Sequence, residues 1–157
     1  MSAKQLVVPG VQVVKSALAL PATATANLFV VTGAVLVTGI LGRVTTATGA
    51  TATTLALGTT GSTTTSLATA TAITSKAAGT WIYQTIASTA FAALTVVSAP
   101  APLITTYPVS GELQLPGLVA PFLIANDTIT WTTSATDTGN ITWYLWYAPI
   151  DAGAGVA

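Results

Sequence analysis

The side chains able to do acid–base or ligand chemistry in this chain are few enough to name. The acids are Glu112, Asp127, Asp137 and Asp151, the cations are Lys4, Lys15, Arg43 and Lys76, and there is neither histidine nor cysteine. Nucleophilic triads, histidine general bases and thiolate or imidazole zinc sites are therefore excluded. The best remaining constellation is Asp127 and Asp137 at the two ends of a candidate strand, with Asn140 nearby. Convergence across a loop would make them an acid pair or a calcium site, but no calcium-loop spacing is present. Turn chemistry accounts for them more simply, because Asn126–Asp127 and Asp137–Gly139 sit where a strand begins and where a loop reverses. Gly33, Gly39 and Gly42 do not form a dinucleotide fingerprint, and no Gly-Lys-Ser/Thr follows a glycine-rich loop. Asn126–Thr128 and Asn140–Thr142 match the glycosylation acceptor pattern, which matters only in a eukaryotic secretory setting. The chain is expected not to be an enzyme, with no catalytic residue, no cofactor and no metal ligand.

Charge is the unusual quantity. Only 5% of the 157 residues are charged, with a formal net charge of +0, against about 25% in an ordinary soluble domain. Four scattered cations cannot neutralise a useful number of phosphates, so nucleic acid is not an expected partner. A bare surface near zero net charge does not repel its neighbours and favours association. The most membrane-like run is residues 26–42, ANLFVVTGAVLVTGILG. It is rich in strand formers, holds two threonines and three glycines, and barely reaches the length of a helical span, so no membrane segment is expected. Pro9–Gly10 interrupts the apolar run a signal peptide would need, and the N-terminus reads as unprocessed.

The elements that would position these residues are strands. Residues 1–10 read as an arm, interrupted by Pro9–Gly10, and residues 11–157 as one domain. Strands are expected at 11–20, 28–31 and 35–44, the last apolar on both faces and so central in its sheet. The Thr/Ala/Ser/Gly tract at 45–75 predicts two further strands, 51–58 and 66–74, joined by a turn, because threonine favours strands and offers water a hydroxyl without charge. Residues 79–86 alternate Trp81, Tyr83 and Thr85 against Ile82, Gln84 and Ile86, and 90–97 follows. A proline-rich connection carries at most short strands at 103–106 and 112–115. The total of about eight to ten short strands, with no amphipathic helix, predicts an all-β single-domain sandwich or jelly roll.

The densest stretch is residues 125–150. Three of the four tryptophans and two of the four tyrosines fall in residues 131–147. Thr128–Thr133 alternates Ile129 and Trp131 against three threonines, and residues 134–140 carry Asp137, Gly139 and Asn140, so the spacing predicts a hairpin with residues 141–147. That second arm shows Ile141, Trp143, Leu145 and Tyr147 on one face and Thr142, Tyr144 and Trp146 on the other. The first set suits the core with Ile129 and Trp131. Tyr144 and Trp146 would lie beside the threonine face, as an oligomer interface, a sugar platform or the core of a second sheet.

Residues 28–43, LFVVTGAVLVTGILGR, the Thr/Ala tract and the closing TITWTTSATDTGNITWYLWYAPIDAGAGV together resemble small virion structural proteins of tailed bacteriophages. The resemblance runs from about Val13 to Val156. It implies an uncharged β-rich subunit on the virion, a capsid cement or decoration protein on the outer surface of the major capsid shell, or else a tail or fibre component. The expected partners are the major capsid protein and further copies of this chain, with a trimer preferred. The rival from another class is a carbohydrate- or receptor-binding module.

Overall fold

The computed structural model describes residues 10–61, 66–84, 94–97 and 121–157. These form eleven strands and no helix: β1 (Val11–Ala19), β2 (Thr25–Thr32), β3 (Ala34–Thr46), β4 (Thr54–Thr59), β5 (Ser66–Ala72), β6 (Trp81–Gln84), β7 (Leu94–Val97), β8 (Phe122–Ala125), β9 (Thr128–Thr133), β10 (Asn140–Pro149) and β11 (Gly155–Val156). They make two antiparallel sheets, one ordered β1-β10-β3-β6-β7 with β8 also on β3, the other β11-β2-β9-β4-β5. The all-β sandwich expected from the sequence is the fold observed. The expected strands at 103–106 and 112–115, and the arm except for Gly10, lie outside the described residues.

β3 is central, as its two apolar faces require. β10 flanks it along one side, while the other side is shared end to end by β8, on residues 34–37, and β6, on residues 41–43. The pairing of β4 with β5 is also the one expected. Between the sheets lies one core, in which Phe29, Val35, Val37, Ile40, Val44, Leu55, Ile82, Ile129, Ile141, Trp143 and Leu145 are almost fully buried. Residues 26–42, the most membrane-like run, are two strands in different sheets meeting at Gly33. Among the described residues no helix is long and apolar enough to cross a membrane.

The expected hairpin of residues 128–133 with 141–147 is not formed. β9 lies between β2 and β4 in the five-stranded sheet, and β10 lies between β1 and β3 in the six-stranded sheet. Their connection is an arch from one sheet to the other. Its Gly139 has φ 126° and packs against Thr48, where a Cβ would come within 2.9 Å of the Thr48 Cα. Most connections between the described strands pass from one sheet to the other. At the opposite end β2 turns into β3 at Gly33 (φ 69°) and β8 into β9 at Asn126 (φ 46°). The two corners hold each other: Gly33 N–H donates to Asn126 Oδ1 at 2.8 Å, and Asn126 N–H donates to the Gly33 carbonyl at 3.1 Å. Asp151 adds a third contact, accepting from Ala34 N–H at 2.9 Å.

Candidate functional site

Strict alternation along β10 divides its residues between the core and the outside of the sandwich. Ile141, Trp143 and Leu145 are fully buried and Tyr147 nearly so. Trp143 meets Trp131 edge to face across the core, with centroids 5.9 Å apart and planes at 83°, a geometry the ring quadrupoles favour. Opposite Trp143 on β3 is Gly42, whose missing side chain makes room for the indole. The core role assigned to Ile129, Trp131, Ile141, Trp143 and Leu145 is therefore where the structure places them, although they face one another across two sheets instead of standing side by side on one.

Thr142, Tyr144 and Trp146 point outward from the six-stranded sheet. Tyr144 and Trp146 are both half-buried and stack, with centroids at 6.2 Å and planes 20° apart. Register extends them into a stripe. Tyr144 stands between Val14 on β1 and Leu41 on β3, and Leu41 is paired in turn with Tyr83 on β6. Trp146 stands between Gln12 and Gly39. In the next row Arg43 lies over the Trp81 ring, 5.4 Å from its centroid, a cation–π contact at the margin of the face. Leu41 and Tyr83 are buried while Val14 is 43% and Leu123 64% exposed.

The expectation that Tyr144 and Trp146 lie beside the threonine face of Thr130 and Thr132 is corrected by the arch. Because β9 and β10 belong to different sheets, their outward residues are on opposite sides of the sandwich. Trp81, Tyr83 and Leu41 were not assigned to the site from the sequence. The available signal was that residues 35–44 and 79–86 are, like 141–147, apolar on both faces, and strands of that kind belong side by side.

The acids do not converge. Asp127 and Asp137 lie beyond opposite ends of β9, a strand of six residues that spans roughly 20 Å. Each turns back on its own backbone: Asp127 Oδ1 accepts from Thr128 N–H at 2.6 Å and Asp137 Oδ1 from Thr138 N–H at 2.8 Å. That is the turn chemistry expected of them. Asn140 is engaged elsewhere, donating through Nδ2 to the Ala17 carbonyl at 3.1 Å. Among the described residues no three His, Cys, Asp or Glu side chains are grouped so as to hold a metal ion. No protein-family model, curated protein or solved structure matches the chain.

Proposed function

We propose that the chain is a non-enzymatic structural subunit of a virion, a cement or decoration protein that binds the outer surface of the major capsid shell and self-associates, with a trimer preferred. The observation that carries the reading is the outward, half-buried stacked pair of Tyr144 and Trp146, with exposed Val14 beside it, on a chain that is only 5% charged. Interfaces between proteins are enriched in aromatic residues and poor in charge at their centres. The resemblance of residues 28–43 and of the closing segment to small phage virion proteins supports the same reading and supplies the shell as partner. In this role Tyr144 and Trp146 are contact residues, Trp131 and Trp143 hold the fold, and the cyclic assembly covers apolar surface without leaving open edges.

The test is to mix the purified protein with empty capsids of the same virus and count bound copies per major shell protein. Saturable binding at hundreds of copies per particle is expected. A handful of copies would indicate a tail or fibre position, and binding to cells or glycans with none to capsids would replace this reading with that of a receptor-binding module.

A further inference from the structure

We infer that the free edge of β1 is a pairing surface for a second copy of this chain, joined antiparallel about a two-fold axis at Val13. No described strand pairs with the far side of β1, whose other side is hydrogen-bonded to β10. Among the described residues the remaining edges are short or tied down. β7 has four residues, β8 four and β11 two, and β5 is fastened to β7 by Leu94 N–H donating to Thr71 Oγ1 at 2.9 Å. β1 has nine residues, and an open edge of that length presents a row of unpaired backbone donors and acceptors to another chain.

The usable part of the edge is bounded at both ends. Ala17 bulges out of register at φ 47°, and its backbone is turned to the protein's own side chains, its N–H donating to Thr142 Oγ1 at 2.9 Å and its carbonyl accepting from Asn140. Pro9, on the other side, has no N–H to donate. Regular pairing is thus confined to Val11–Lys15 and its immediate flanks, and a symmetric antiparallel pair of that span centres on Val13. This register places Lys15 opposite Val11 of the second copy, so the cations do not meet. A centre on Lys15 would oppose them directly, and one on Val14 would draw in the bulge at Ala17. The centre on Val13 also sets Val14 opposite Gln12 of the second copy. Val14 is in register with Tyr144, and Gln12 with Trp146, so the aromatic stripe of one subunit runs on into that of the next. Val11 and Val14, 45% and 43% exposed, are covered by the same contact.

This inference does not rest on capsid binding, and the two fail separately. The chain has no cysteine, so one introduced thiol reports the seam. Residues directly opposite in an antiparallel pair have Cα atoms about 4.5–5.5 Å apart, within the disulfide range of about 4.4–6.8 Å. Under mild oxidation Val13→Cys is expected to give covalent dimers at least tenfold faster than Ala70→Cys, at an exposed position of the edge strand β5. The double variant Gln12→Lys/Val14→Lys sets like charges across the seam on exposed positions and is expected to weaken self-association at least tenfold. With the three-fold contacts of the proposed trimer the unmodified protein is expected to sediment as a hexamer, two trimers joined through their β1 edges, and without those contacts as a dimer. Equal cross-linking at positions 13 and 70, unchanged association of the double-lysine variant, or sedimentation as a monomer or a trimer alone would overturn the pairing.

Discussion

On the outside of the five-stranded sheet β9 presents the partly exposed Thr128 and Thr132, with Thr130 buried between them, and Thr25 and Asn27 of β2 and Ala56 and Gly58 of β4 beside them. On the outside of the six-stranded sheet β10 presents Tyr144 and Trp146, with Val14 exposed and Leu41 and Tyr83 buried beside them. Charge stands at the margin of the second face, where Arg43 lies over the Trp81 ring. The threonine face satisfies itself and water with hydroxyls: Thr25 and Thr132 bond to each other at 2.7 Å, and among the described residues its prominent apolar side chain is Val30, 47% exposed. The stacked aromatic pair offers water one hydroxyl and one indole N–H on two large rings. The difference separates two ways of living with little charge, one suited to standing in water and the other to being covered. It also orients the molecule, because an assembly that uses the aromatic face leaves the threonine face outward.

The sharpest break in this contrast is within β10 itself, between the residue pointing in and the residue pointing out. Truncation of Trp143, fully buried against Trp131, is expected to cost about 3–5 kcal/mol, a large part of the roughly 5–15 kcal/mol that stabilises a typical domain. Trp146→Ala is expected to leave the subunit folded and to weaken association by about 2 kcal/mol or more where the ring is a hot spot. Chemical unfolding and subunit dissociation measured on both variants separate the roles. Equal loss of folding stability would remove the distinction between the two faces of the strand.

The inner face of this sandwich was legible because period-2 alternation is local: Ile129 and Trp131, and then Ile141, Trp143 and Leu145, had to point into a core. The partners of β9 and β10 were not. A hairpin and an arch both bring those five residues together, and the turn residues Asp137, Gly139 and Asn140 serve either connection. What decides between them is the packing of Gly139 on Thr48 and the bond from Gly49 N–H to the Thr138 carbonyl at 3.1 Å, contacts with a distant segment. β8 was missed for a related reason. Its four residues follow a proline-rich stretch, and their strand character comes from pairing with residues 34–37 of β3. The aromatic pair was visible as a site, whereas its separation from the threonines depended on the arch.

A smaller effect tests how tightly the aromatic sheet is packed on its inner side. At Gly42 a Cβ would lie 3.0 and 3.1 Å from the Trp143 ring and 3.2 Å from Ile141 Cγ2. Gly42→Ala is therefore expected to destabilise by about 1–3 kcal/mol through overpacking, read as a lower denaturation midpoint at constant slope. At the corner, Asn126→Ala removes the acceptor for Gly33 N–H and puts a Cβ-bearing residue with no side-chain compensation at φ 46°. A loss of about 1–3 kcal/mol is expected. Asn126→Gly, which relieves the backbone but still lacks the acceptor, should recover part of it. No recovery would mean that the corner depends on the hydrogen bond alone.

The smallest expected effect bears on the threonine face. Thr132 is partly exposed and bonds only to Thr25 among the contacts resolved for its hydroxyl. Replacing it with valine keeps the β-branched shape and the strand preference while removing the donor and acceptor. Folding stability should change by no more than about 0.5 kcal/mol, as for most surface substitutions. Solubility should respond more. With a formal net charge of +0, hydroxyls are the main hold this face has on water, and Thr25→Val/Thr132→Val turns two adjacent polar positions apolar next to Val30. The double variant is expected to precipitate at lower ammonium sulfate concentration than the parent while its denaturation midpoint stays nearly unchanged. The same test on Trp146→Ala should move precipitation the other way, toward higher salt. If both variants shift in the same direction, the two faces are equivalent toward water and the orientation drawn from them fails.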